Sequence, residues 1–291
     1  MFPDQREVEN MTLPNLVGCG AGKSGTTSLH YYLSQHPQIF MAPVKETHYF
    51  SKNFDKGEYW YRSNFEGWTR ESIIGEFSTT YMNYPAVPAR IAELIPQAKL
   101  LFLLRDPIER AYSNYWFSVS IGQQAPDRTF SDVIRTQKGN QLYVSTGFYY
   151  DLLSGFLRYF DRKQIYILIT EELKKDPMNQ MSSCYQYLGI DPSFVPNVHQ
   201  KFNVTVTTSN KWKQKGDQNW LVIKRAIRPF FLRFPTSIRR RLSKIEQLFR
   251  LQMFNEERPP ILEEDRDYLA NIYQEHNIKL ANFMERELPW D

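Results

Sequence analysis

The run Gly18-Cys19-Gly20-Ala21-Gly22-Lys23-Ser24-Gly25-Thr26-Thr27-Ser28-Leu29, directly behind the apolar segment Leu13-Pro14-Asn15-Leu16-Val17, constrains this chain more than any other feature. An apolar strand that breaks into glycines and resumes as a helix leaves successive backbone N–H groups without intrahelical partners, aimed at whatever sits at the helix N-terminus. Gly20, Gly22 and Gly25 permit positive φ and close backbone approach, Ser24, Thr26 and Thr27 bring hydroxyl donors, and Lys23 brings a positive charge. The expected ligand is a phosphate or an anion of that shape; the plain alternative is a strand-to-helix turn that binds nothing. A nucleotide-triphosphate P-loop asks for glycine, four residues, then Gly-Lys-Ser/Thr. Counting back from Gly22, that first glycine position holds Val17, and Gly18 is one residue too close. Less chain is then available to wrap a β-phosphate and its metal.

Behind the loop, apolar runs and helical patterns alternate. Leu29, Tyr32, Leu33 and His36 share one helical face up to the stop at Pro37, and Ile39-Phe40-Met41 reads as a short strand. The polar, aromatic segment Lys45-Glu46-Thr47-His48-Tyr49-Phe50 follows, then a strand over 72–77 leading into Ser78-Thr79-Thr80-Tyr81. A helix is expected over 88–95. The run Lys99-Leu100-Leu101-Phe102-Leu103-Leu104 lacks alternation, as a strand covered on both faces does. It ends in Arg105, with Asp106 as helix cap and Pro107 at the first helical position. Helices over 129–136 and 149–160, a strand over 164–169 and a helix closing near Gly189 complete the pattern. The expected fold class is α/β, a doubly wound parallel sheet flanked by helices with a P-loop-like strand-loop-helix. Ligands of such sheets bind beyond the carboxyl ends of the strands, where the glycine run and Arg105 both fall.

At 291 residues and 42% hydrophobic content the chain can bury a full core, so it is expected to form a single domain over 1–291. Cys19 and Cys184 are too few for a disulfide framework, the five histidines are scattered, and no metal site is expected. The N-terminal residues show no signal pattern and no apolar run approaches membrane-spanning length, so a cytoplasmic location is expected. Composition shifts inside a mostly helical appendage expected over 211–260. From Lys224 to Arg250, nine basic residues face one acid, Glu246, with phenylalanines and leucines interleaved. Such a segment is either a solvated face over a local core or a surface for an anionic substrate or an anionic membrane. Nucleic acid is not expected, since no binding motif accompanies the charge.

Taken together, Gly22-Lys23-Ser24-Gly25-Thr26-Thr27-Ser28-Leu29, Lys45-Glu46-Thr47-His48-Tyr49-Phe50, Gly75-Glu76-Phe77-Ser78-Thr79-Thr80-Tyr81 and Leu104-Arg105-Asp106-Pro107-Ile108-Glu109-Arg110-Ala111-Tyr112-Ser113 resemble the sulfotransferases that use 3′-phosphoadenosine 5′-phosphosulfate. The nearest likeness is to the heparan sulfate N- and O-sulfotransferase branch. It covers roughly 13–202 and 263–291 and leaves the basic segment outside. The family disulfide of secreted animal members has no counterpart here, which points to a soluble, bacterial-type enzyme.

The resemblance implies a donor site in which Lys23, Ser24, Gly25, Thr26, Thr27 and Ser28 surround the 5′-phosphate while Arg105 and Ser113 grip the 3′-phosphate. It makes Glu46 the general base toward an acceptor hydroxyl or amine, Lys23 the stabiliser of the leaving phosphate oxygen, and His48 a residue that orients Glu46 or touches the acceptor. Lys211 and Lys213 stand where the family has a loop near the nucleotide. Glu76 and Tyr81 are expected as wall and positioning residues. The acceptor would be a carbohydrate, a lipid-linked sugar or a small metabolite. Two other functions fit the residues: an ATP-dependent phosphotransferase, and a non-catalytic module attaching to polyanions or membranes.

Overall fold

A computed structural model describes residues 8, 11–125, 127–199 and 258–290. Among the described residues five strands form the expected parallel sheet: β1 Leu16–Gly20, β2 Ile39–Met41, β3 Ile73–Phe77, β4 Lys99–Leu104 and β5 Ile165–Ile169. Their order is β2-β3-β1-β4-β5, every neighbouring pair parallel. Connections from β1 run first to one side and, from β4 onward, to the other, so they diverge between β1 and β4. In an open α/β sheet that is where a ligand crevice forms, beyond the carboxyl ends.

Successive strand residues point to opposite faces, and each face carries its own core. Val17, Cys19, Leu100, Phe102 and Leu104 pack with Val87 and Ile91 of α3 (Val87–Leu94) and with Tyr149, Leu153 and Phe156 of α6 (Tyr149–Leu157). On the other side, Leu16, Phe77, Leu101 and Leu103 pack with Leu29 and Leu33 of α1 (Thr26–Leu33) and with Met181, Cys184 and Leu188 of α8 (Pro177–Leu188). Helices on both faces make the sheet doubly wound. Cys19 and Cys184 are buried free thiols.

Several boundaries differ from the sequence reading. α1 stops at Leu33, although Tyr32 and His36 are buried as their spacing required; His36 lies beyond the helix, in a turn whose N–H bonds the Leu33 carbonyl. The helix expected over 149–160 ends at Leu157. A short helix, α2 (Gly57–Ser63), had no periodic signal because only Tyr61 of it is buried. Past β5, Thr170–Lys175 forms α7, and Asp176 restarts the chain as α8 by accepting a bond from the Asn179 N–H.

The chain divides into two compact units, one of Met1–Arg110, Thr146–Phe202 and Ile272–Asp291 and another of Ala111–Ser145 with the described part of Asn203–Asn271. The sheet belongs wholly to the first. The boundaries fall inside α4 (Pro107–Ser120) and α9 (Glu263–Met284). Within the second unit Tyr112 and Tyr115 pack on Phe130, the first residue of α5 (Phe130–Ile134), whose start is fixed by a Thr129–Asp132 capping box. Buried Asp265 is held there by Arg135 at 2.6 Å. Lys211, Lys213 and the basic segment 224–250 lie outside the described residues. Among the described residues no helix is long and apolar enough to cross a membrane, and no group of His, Cys, Asp and Glu could hold a metal ion.

Candidate functional site

The glycine run leaves β1 as a loop tied to its neighbours on both sides. The Ala21 N–H bonds the Leu103 carbonyl of β4 at 2.8 Å, and the Ser78 N–H, just past β3, bonds the Gly18 carbonyl at 2.9 Å. Gly18 is required because a Cβ there would stand 2.1 Å from the Phe77 ring. Gly25 caps α1 at φ 89°, a left-handed conformation that glycine adopts without strain, and no side chain caps this helix. A helix start without a side-chain cap is one where an anion can take the cap's place. Thr170, at the end of β5, fixes the loop from below: its hydroxyl lies 2.7 Å from both the Ser24 and the Leu104 carbonyls.

Two polar atoms here suit a phosphate-like ligand. The Ser24 hydroxyl and the Arg105 Nε are both buried without a hydrogen-bond partner. The rest of the Arg105 guanidinium reaches the Lys23 carbonyl and the Glu109 carboxylate, each at 3.3 Å. Tyr149 steadies the Arg105 backbone by donating to its carbonyl at 2.8 Å. Around Gly22 a Cβ would meet nothing within 4 Å, which leaves the loop accessible from outside.

Glu46 arrives from a different part of the chain and lands at the same edge. Its N–H bonds the Phe77 carbonyl at the end of β3 (3.0 Å), and its carboxylate receives the Thr79 N–H at 2.8 Å and the Thr79 hydroxyl at 2.9 and 3.0 Å. Lys45 Nζ lies 2.7 Å from the same carboxylate, and His48 Nε2 lies 3.8 Å away. Thr79 also touches the loop: a Cβ on Gly20 would stand 3.1 Å from its carbonyl oxygen. The ends of β3, β1 and β4 thus bring together Glu46 and His48, the loop residues Lys23, Ser24, Gly25, Thr26, Thr27 and Ser28, and Arg105. Ser113 stands further along α4, in the second unit, 5% exposed.

Lys23, Glu46 and His48 share a backbone peculiarity. Their φ angles are 70°, 67° and 52°, in the left-handed region that side chains other than glycine rarely occupy. Each such residue costs about 1–3 kcal/mol and persists only where surroundings enforce it, commonly at functional sites. Burial pushes the His48 imidazole below its ordinary range, Glu46 opposes that, and Lys52 and Lys45 add to it. Its Nδ1 pairs with the Thr80 hydroxyl at 3.0 Å.

Sequence reasoning passed over Thr79 and Thr80, which hold the candidate base and its histidine. The signal was present: four consecutive hydroxyl residues, Ser78-Thr79-Thr80-Tyr81, directly after an apolar strand. It had no spacing rule that could attach it to Glu46, 33 residues earlier.

A sulfotransferase domain model matches residues 14–231. The membrane-associated sulfotransferase kil1 of Dictyostelium discoideum is 43% identical over 112 residues, 38% of this chain and 24% of that protein. Human bifunctional heparan sulfate N-deacetylase/N-sulfotransferase 2 is 34% identical over 197 residues, 62% of this chain and 22% of that one. Human heparan sulfate glucosamine 3-O-sulfotransferase 3B1 is 29% identical over 199 residues, 66% of this chain and 50% of that one. The chain therefore spans no more than half the length of any of these three. Among solved structures, a sulfotransferase from Alicyclobacillus acidocaldarius shares the fold with a TM-score of 0.69 at 23% identity, covering 95% of this chain and 98% of its own. With its parallel sheet, its glycine loop and a domain match over most of its length, the chain belongs to the sulfotransferase family of transferase enzymes.

Proposed function

We infer that this chain transfers a sulfuryl group from 3′-phosphoadenosine 5′-phosphosulfate to a hydroxyl or amine. One observation carries the reading: Thr79 holds the Glu46 carboxylate at the sheet edge and abuts Gly20 of a loop whose Ser24 hydroxyl is a buried donor without a partner. The loop from Lys23 to Ser28 takes the 5′-phosphate on backbone N–H groups and hydroxyls. Arg105, with Ser113, takes the 3′-phosphate, its unpartnered Nε supplying a charge-assisted donor. Lys211 and Lys213 belong to the nucleotide site in this reading.

In the transfer, Glu46 accepts the proton of the acceptor group as the new bond to sulfur forms and the bond from sulfur to the 5′-phosphate oxygen breaks. Lys23 stabilises the charge that appears on that oxygen. Thr79 and Lys45 fix the carboxylate beforehand, so little reorganisation is left for the moment of reaction. The leaving group is a sulfate-free bisphosphate nucleotide, and no step assigned to these residues calls for a metal. A carbohydrate acceptor is favoured by the similarity to heparan sulfate sulfotransferases. Cytoplasmic action, with 224–250 available for an anionic surface, completes the reading and agrees with two free cysteines.

Calorimetry with 3′-phosphoadenosine 5′-phosphate, and separately with ATP and Mg²⁺, tests the donor. Metal-independent binding of the bisphosphate supports the assignment; preference for ATP makes the chain a phosphotransferase instead. A chain that binds the bisphosphate yet turns over no acceptor extract is a binding module.

A further inference from the structure

Directly beneath Glu46 and His48 lies a carboxylate that no step above uses. Glu76, one residue before the end of β3, is fully buried, with 0% of its surface exposed. Four hydroxyls converge on it: Tyr81 at 2.6 Å and Tyr61 at 3.4 Å on one oxygen, Ser78 at 2.9 Å and Thr47 at 3.0 Å on the other. Three of those hydroxyls also accept a backbone N–H. Ser78 Oγ takes that of His48 at 3.0 Å, Thr47 Oγ1 that of Tyr49 at 3.4 Å, and the Tyr81 oxygen that of Phe50 at 3.3 Å.

A hydroxyl has one proton to give. With a lone pair holding an amide, its proton is left for another acceptor; Thr47 Oγ1 lies 3.1 Å from the Tyr81 oxygen and 3.5 Å from Ser78 Oγ, but the charged acceptor in reach of all of them is the carboxylate. An ionised carboxylate offers about four lone-pair sites, enough for all four hydroxyls. A neutral carboxyl group must place a proton of its own, and among the described residues the hydroxyls around it are the acceptors in reach. The hydroxyl that takes it must turn its own proton toward a neighbour, as between Thr47 and Tyr81 at 3.1 Å, and its alignment on its amide loosens.

The geometry points to Glu76 as a positioning residue: as a carboxylate it aligns three hydroxyls that grip the backbone of His48, Tyr49 and Phe50, and so holds Glu46 and His48 in their left-handed conformations. The functional part rests on Glu46 being the base; the alignment itself does not.

Charge around Glu76 is sparse. Cys19 faces it from β1, Tyr61 from α2 and Tyr81 from beyond β3, and burial raises all three well above their ordinary values, so they stay neutral. Burial, opposed by the hydroxyl bonds and aided by Glu46, raises Glu76 from 4.5 to about 7. The grip is therefore poised to loosen as pH falls below neutrality.

Amide hydrogen exchange on the full chain tests this without reference to turnover. In the wild type, protection of the His48, Tyr49 and Phe50 amides should rise between about pH 5.5 and pH 8 beyond the intrinsic rate change, while β4 amides show no such rise. Glu76→Gln keeps one acceptor oxygen and replaces the other by an NH₂ group that only donates, so the hydroxyls facing the NH₂ lose their acceptor and the amides they hold should lose about tenfold protection, the equivalent of one hydrogen bond each, with no pH step at any of the three. Ser78→Ala should release His48 alone, and Tyr81→Phe should release Phe50 alone. These two variants decide the matter if Glu76→Gln fails to fold. Equal protection in Glu76→Gln and wild type overturns the proposal, as does a Ser78→Ala variant that frees all three amides or none. Loss of protection with unchanged turnover would leave the alignment standing and remove Glu46 from its role.

Discussion

At the scale of single residues, the candidate base is defined by one threonine. Thr79 gives Glu46 three of its contacts, two from a hydroxyl and one from an amide. Thr79→Val keeps the shape and the amide bond but removes the hydroxyl. Turnover should fall by about 10- to 100-fold while bisphosphate affinity stays the same, because a carboxylate displaced by a fraction of an ångström loses alignment and not charge. Glu46→Gln should cost more, about 10²- to 10⁴-fold, again with donor binding spared. Glu76 gives a stability prediction of definite sign. Its folded pKa of about 7 exceeds the ordinary 4.5, so between those values the folded state binds more protons than the unfolded chain, and stability falls as pH rises. Urea unfolding at about pH 5 and about pH 7.5 should show a smaller difference in Glu76→Gln than in wild type.

At the scale of elements, what the sequence announced most clearly was how helices begin. Asp106 was readable as the cap of α4 from the Asp-Pro step, and its carboxylate accepts the Ile108 N–H at 2.8 Å. Asp106→Ala should cost about 1 kcal/mol, seen as a melting temperature lower by about 2–4 °C. Gly18 is the opposite case, since the pattern presented it as a loop glycine. It lies inside β1, beside Phe77 on β3, and its missing side chain is what lets that ring cross the strand. Gly18→Ala should destabilise by about 1–3 kcal/mol through overpacking, measured by chemical denaturation. Helix ends were less readable than starts: α1 and α6 both stop short of their apolar pattern, because residues such as His36 and Phe160 reach the core from turns.

Across the molecule, binding and folding should be linked through the sheet edge. The glycine loop is tied to β4 by Ala21, to the end of β5 by Thr170 and to the end of β3 by Gly18. A ligand seated on it stabilises only the state in which three strand ends are assembled. Bisphosphate nucleotide at about 100 times its dissociation constant should add about 2.7 kcal/mol to unfolding, visible as a thermal shift that chelators leave unchanged. ATP at the same concentration should give little shift. A shift that vanishes in Lys23→Ala but survives in Glu46→Gln would separate donor from acceptor chemistry within one assay.

The sequence by itself determined the sheet, its two-sided burial and the glycine loop between β1 and α1, because apolar runs, glycines and helix caps act over a few neighbouring residues and leave local marks. It also named Glu46, through likeness of motif. What only the tertiary structure decided is how Glu46 is held: Thr79 beside it, Thr80 behind His48, and Glu76 beneath both. Those contacts join segments about 30 residues apart at the ends of strands that are adjacent in the sheet and not in the chain. Strand order sets which ends meet, and no local pattern of residue types encodes it.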